Sequence, residues 1–100
     1  MRIVVMTNDL MDRSRISAAL GDVEFTTDPA RAEGADVVVI DLARHATEVA
    51  SVRAVAPAAR IVAFGPHVDT EGFTQATRDG ADAVVPRSRF FPDPAAALRR

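Results

Sequence analysis

The chain has 100 residues, of which 48% are hydrophobic and 26% charged, so it is sized for one domain with a core of its own and lacks the composition of a disordered segment. It contains no Cys and all twelve basic residues are Arg, which excludes disulfides, thiolate metal sites, cysteine nucleophiles and any chemistry needing a lysine amine. The net charge of −2 is unevenly spread: residues 1–85 carry eight Arg against thirteen acids, a balance of −5, while residues 86–100 carry four Arg against Asp93, a balance of +3.

The basic end has no interleaved aromatic stacking residues on the pattern of a nucleic-acid surface, so nucleic acid is not expected as a partner. The longest apolar run is about five residues, far below the ~18 of a membrane span, and the first residues have no signal-peptide pattern. The expectation is a cytoplasmic protein with no membrane partner.

In chain order, the first apolar run is Ile3 to Met6, followed by Met11 to Leu20, where Ile16 and Leu20 share a helical face and Gly21 can follow the C-cap. Val23 to Thr26 alternates apolar and polar, as a half-exposed strand at a sheet edge would. Asp28-Pro29 begins a short helix, with an N-cap acid before a proline whose missing amide hydrogen a helix start does not need. Val37 to Leu42 is continuously apolar until Asp41, the pattern of a strand buried on both faces of a parallel sheet. Ala46 to Ala56 is a helix with Val49, Val52 and Ala56 on one side, ended by Pro57.

Ile61 to Phe64 is the fourth strand. Asp69 caps the next helix, which Gly80 closes, and Val68 is spaced to staple onto Phe73. Ala83 to Val85 is the fifth strand, and Asp93-Pro94 starts a last, short helix running to Leu98. The sequence echoes itself: Gly34-Ala35-Asp36-Val37-Val38-Val39 against Gly80-Ala81-Asp82-Ala83-Val84-Val85, and Arg2-Ile3-Val4-Val5 against Arg60-Ile61-Val62-Ala63. Strict strand and helix alternation with right-handed crossovers predicts an α/β, flavodoxin-like, doubly wound five-stranded parallel sheet in the order 2-1-3-4-5, with short second and last helices, as a single domain over residues 1–100.

Such sheets bind ligands at the carboxyl ends of their strands, near the switch in strand order. The residues expected there are Thr7-Asn8-Asp9, Asp41, Gly65-Pro66-His67 and Arg87-Ser88. Asp9 and Asp41 facing Arg87 can hold a hard cation or neutralise one another as a structural ion pair. His67 and His45 also lie on this rim. His67 reads as a loop-shaping residue, Asp69 is occupied by its helix cap, and no third ligand stands beside the histidines to make a metal site.

At these positions the chain resembles the bacterial response-regulator receiver domain (CheY-like). Asn8-Asp9 stands at the family's acidic pair, Asp36-Val-Val-Val-Ile-Asp41-Leu42 is similar to its phosphoacceptor strand, and Gly80-Ala81-Asp82 leads to Pro86-Arg87 as the family's segment leads to its Lys-Pro. The resemblance implies Asp41 as phosphoacceptor, Mg²⁺ on Asp9, Asn8 and Asp41, Arg87 in place of the phosphate-binding lysine, and Gly65 and Val84 at the switch positions. Three departures set the chain apart: Asn8 replaces a carboxylate, Gly65 falls where a hydroxyl belongs, and Arg87-Ser88 replaces Lys-Pro. An Arg fork is not equivalent to a compact ammonium.

The reading that follows is a degenerate receiver, or pseudo-receiver, in which Asp41 is a structural partner of Arg87. It would be a stand-alone, non-enzymatic module of phosphorelay signal transduction, binding a signalling protein or histidine kinase without obligatory phosphorylation. Beside it stand a phosphorylatable two-component receiver using Asp41, and a flavodoxin-like binding protein for a small anionic ligand. Thr7-Asn8-Asp9-Leu10 contains no glycine, which counts against a nucleotide or flavin loop. Phe90, Phe91 and Arg89 stand beside a last helix too short to cover the sheet: either they form a homodimer interface through the fourth helix, fifth strand and last helix, or the two rings tuck under that helix and replace the missing cover.

Overall fold

The computed structural model describes residues 1–99; Arg100, the last basic residue of the C-terminal segment, lies outside the described residues. Five strands, β1 (Ile3–Met6), β2 (Glu24–Phe25), β3 (Val37–Asp41), β4 (Arg60–Gly65) and β5 (Ala83–Pro86), form one sheet in the order β2-β1-β3-β4-β5. All four pairings are parallel. This is the expected doubly wound, flavodoxin-like topology.

The runs without alternation occupy the centre because both of their faces meet helices. β1, β3 and almost all of β4 are buried throughout, whereas β2 and β5 at the edges are only partly covered. Successive side chains of a strand point to opposite faces, so one sheet yields two cores. Val4, Met6, Val38, Ile40, Ile61 and Ala63 pack on one face with Val49, Val52 and Ala76. Ile3, Val5, Val39, Val62 and Phe64 pack on the other with Ile16, Phe90 and Leu98.

Helices α1 (Leu10–Leu20), α3 (Val49–Val55), α4 (Thr70–Asp79) and α6 (Pro94–Leu98) follow the expected segments, and Asp28-Pro29 starts a single 3₁₀ turn over Pro29–Ala32. Asp9, Asp28, Asp69 and Asp93 each accept a backbone N–H as N-caps. Two four-residue helices, α2 (Leu42–His45) and α5 (Arg87–Phe90), begin directly where β3 and β5 stop. Leu42 accordingly belongs to a helix rather than to the third strand. The staple of Val68 on Phe73 is not formed: Val68 is 73% exposed, because the turn closed by Asp69 N–H on the Pro66 carbonyl holds it outward while Phe73 packs on the core.

The internal echo corresponds to a repeated device at the amino ends of the strands. Asp36 N–H donates to the Arg2 carbonyl at 3.0 Å, and Asp36 Oδ2 accepts the Arg2 N–H at 2.7 Å. Asp82 repeats this on Ile61, at 2.8 Å in both directions. An arginine lies over the preceding glycine in each case. Arg2 donates to the Arg31 and Glu33 carbonyls, while Arg53 donates to the carbonyls of Gly80, Ala56, Pro57 and Ala59 and to Asp82 Oδ2.

Gly80 has φ +118°, and a Cβ there would lie 2.8 Å from Arg53 Cγ. Gly80→Ala is therefore expected to cost about 1–2 kcal/mol from the left-handed backbone alone, and more because Arg53 must move. A urea midpoint unchanged from that of the parent chain would refute this account of the repeat. Burial disfavours the Asp82 carboxylate, yet the Ile61 amide and Arg53 together outweigh it and hold its pKa below the ordinary value. Its contribution to stability is thus present above the unfolded-state pKa and fades as acid titrates it through the folded one.

Candidate functional site

The carboxyl ends of β1, β3 and β5 deliver the predicted residues to one rim, and the first turns of α1, α2 and α5 decide whom each residue touches. Thr7, the last buried residue after β1, donates its hydroxyl to Asp41 Oδ2 at 3.0 Å. Asp41 Oδ1 accepts the Ala43 N–H at 3.1 Å, which makes Asp41 the N-cap of α2. Asp41 is 1% exposed, so both carboxylate oxygens carry protein partners and almost none of the group meets solvent.

Asp9 is the N-cap of α1: its Oδ1 accepts the Asp12 N–H at 2.9 Å. That amide bond is the main reason why the Asp9 carboxyl titrates below its ordinary range; some desolvation opposes it, and the Arg44 charge and Met11 amide assist. Asn8 is bonded instead to His45, with Oδ1 3.3 Å from His45 Nε2, while His45 Nδ1 lies 2.9 Å from Glu48 Oε2. The buried His45 thus ties the loop after β1 to the 3₁₀ turn Ala46–Glu48.

The expected ion pair of Arg87 with Asp41 is not formed. Arg87 makes a two-pronged pair with Asp12, Nη1 to Oδ2 at 2.9 Å and Nη2 to Oδ1 at 2.8 Å. Its guanidinium also lies 4.8 Å from the ring centre of Phe91 and 5.4 Å from that of Phe64. The hydrogen bond to Asp12 raises its pKa most, against some desolvation, with the charges of Asp12, Asp41 and Asp9 adding in that order. Positions 9, 41 and 87 therefore do share an edge, but a fourth residue takes the guanidinium. The reason is geometric: Arg87 starts α5 and aims its fork at α1, while Asp41 is turned into its own helix cap.

Asp12 left a signal that a helical reading could have used. Asp12, Ile16 and Leu20 follow each other at intervals of four, so the acid occupies the inward stripe of α1 and needs a buried partner. Thr7 and Arg44, the other contacts of the rim acids, have no sequence pattern of their own.

Gly65 lies in a tight setting between two side chains. A Cβ there would approach Leu42 Cβ and Phe73 Cε1 to 3.3 Å each, so a larger residue at this position needs those side chains to shift by a few tenths of an ångström. Val84 is half-buried and packs on the core. His67 is exposed, and Asp69 caps α4 through the Gly72 N–H.

Phe90 is overturned as an interface residue. It is fully buried and stacks on Phe64 with ring centres 4.7 Å apart, while Phe91 packs edge-on against both rings at 5.2 and 5.0 Å. The two rings replace the cover that short α6 cannot supply. Of the three candidates, Arg89 is exposed and Phe91 partly so.

The receiver resemblance implies a divalent cation, but the donor set does not fit one. Mg²⁺ requires near-octahedral oxygen ligation, whereas here one oxygen each of Asp9 and Asp41 caps a helix, their other oxygens lie within 4.0 Å of the Arg44 guanidinium, Asp12 is paired with Arg87, and Asn8 is bonded to His45. Among the described residues, no three His, Asp or Glu side chains are grouped to hold a metal, and no helix is long and apolar enough to cross a membrane.

No family model matches the chain, and no curated protein matches it. Solved structures do. A response regulator protein from Burkholderia pseudomallei, solved with a phosphorylated aspartic acid, calcium ion and citrate, superposes with a TM-score of 0.83 at 19% identity over 98% of this chain. The chain spans only 66% of that protein's length. A response regulator receiver domain protein from Clostridium thermocellum gives 0.78 at 16% identity, covering 97% of this chain and 90% of that one. An adenylate cyclase from Rhodopirellula baltica gives 0.80 at 15% identity, covering 97% and 83%. At these identities the likeness establishes the fold, which is that of response-regulator receiver domains.

Proposed function

We propose that this receiver-fold chain is a protein-recognition module of a signalling system whose rim is held by internal pairing rather than by phosphorylation of Asp41. The observation that carries this reading is the closure of the acceptor. Asp41 has both oxygens engaged by Thr7 and Ala43 at 1% exposure, and Arg87, the cation that would receive a phosphoryl group, is held by both prongs to Asp12. Phosphorylation on either oxygen of Asp41 would disturb the Thr7 bond or the cap of α2, and the product would find no hydroxyl at Gly65 to move toward it. The partner is a signalling protein, a histidine kinase included, and the module performs no catalysis of its own.

Incubating the chain with acetyl phosphate and Mg²⁺ and weighing it intact tests the reading. The expected result is no stoichiometric gain in mass. A full phosphoryl adduct that disappears in Asp41→Asn would instead establish the phosphorylatable receiver and sink the closed-acceptor reading.

A further inference from the structure

Three carboxylates, Asp9, Asp12 and Asp41, lie at the carboxyl edge of the sheet close enough for their charges to act on Arg87, whose hydrogen bonds go to Asp12. Asp9 and Asp41 belong to different strand ends, yet one residue reaches both. Arg44, three positions after Asp41 in α2, places Nη2 3.6 Å from Asp9 Oδ2 and Nε 4.0 Å from Asp41 Oδ2. These separations are beyond hydrogen-bond length, so the guanidinium acts on the two acids as a positive charge held between them. With Arg44 and Arg87 in place, three negative charges meet two positive ones, and the rim retains a net charge of about −1 instead of −3.

We infer that Arg44 is a tethered counter-ion, set between Asp9 and Asp41 where a divalent cation would be drawn, so that most of the acidic charge of this edge is offset without metal. The inference rests on the closed-acceptor reading and adds to it the reason why the cation of a receiver is dispensable here. Asp41 caps α2, and the cap sets the direction of that helix. A residue three positions on is then returned to the same side, so the acid that a metal would coordinate positions its own replacement. A tethered cation is present at high effective concentration. A metal ion must displace it and then meet Asn8, a neutral amide engaged with His45, where a carboxylate would be more useful.

The test is titration of the full chain with Mg²⁺ alone, at constant ionic strength and without any phosphoryl donor, followed by calorimetry. The parent chain is expected to bind Mg²⁺ weakly or not measurably. Arg44→Gln keeps a polar but uncharged side chain, and should gain saturable binding at least about tenfold tighter, because a unit positive charge within 4.0 Å of both candidate ligand oxygens is removed. Arg44→Lys should behave as the parent, and adding Asp41→Asn to Arg44→Gln should abolish the gain.

Should Arg44→Gln fail to fold by circular dichroism, Arg44→Met carries the same expectation. Equal Mg²⁺ affinity in the parent and the neutral variant overturns the inference, as does a gain that survives Asp41→Asn. Such a failure is separable from failure of the closed-acceptor reading: labelling at Asp41 is read by mass with a phosphoryl donor, whereas metal affinity is read by heat without one.

Discussion

Replacing Arg87 by Met should destabilise the fold by about 3 kcal/mol. Removing one partner of a buried ion pair typically costs about 3–5 kcal/mol, and the low end applies because the Arg87 side chain is still 37% exposed whereas that of Asp12 is 6% exposed. For a domain of this size that corresponds to a fall in Tm on the order of 15 °C. The loss comes chiefly from leaving the Asp12 carboxylate desolvated and unpaired. Asp12→Asn added to Arg87→Met should therefore recover part of it, since a neutral amide in the same place is cheaper to bury.

The same variants decide between the observed partner and the one the sequence suggested. A double-mutant cycle should give a large coupling between Arg87 and Asp12 and a small one between Arg87 and Asp41, which share an edge but no hydrogen bond. A loss below about 1 kcal/mol for Arg87→Met, or coupling concentrated on Asp41, would contradict the pairing.

Phe90→Ala should cost about 3–5 kcal/mol, the range for emptying a fully buried aromatic site. The ring stacks on Phe64 at 4.7 Å and belongs to the core cluster of Ile16, Val62 and Leu98. Phe91→Ala should cost less, because that ring is only partly buried. Chemical denaturation separates the two accounts of the phenylalanine pair: a ring kept for an interface would leave the unfolding free energy of the monomer within about 0.5 kcal/mol of the parent. Phe90 should act as core because α6 has only five residues and cannot cover this face of the sheet alone.

Much of this molecule was legible from its sequence. The unbroken apolar runs of β1, β3 and β4, the alternation of β2, and the acids Asp28, Asp69 and Asp93 ahead of their helices are local signals. They report whether a strand is covered on one face or two, and where orphan amides need an acceptor; strand order and the location of the rim follow from them through connection rules. The repeated Gly-Ala-Asp segments were visible as well, although their purpose as clamps under Arg2 and Arg53 emerges only when the neighbouring strand ends are in place.

The tertiary structure decided which charges meet. Three acids and two arginines converge within one rim, and composition cannot say whether Arg87 chooses Asp41 or Asp12. That choice depends on the direction in which Arg87 leaves the start of α5 toward Asp12 and on the turn by which Asp41 caps α2. The same holds for α2 and α5 themselves, each four residues long: too short to carry a periodicity, they form because the strands before them end against packed neighbours. Topology is thus encoded in patterns spread over many residues. Pairing at the site hangs on single side-chain directions, which no pattern averages and which only the assembled fold sets.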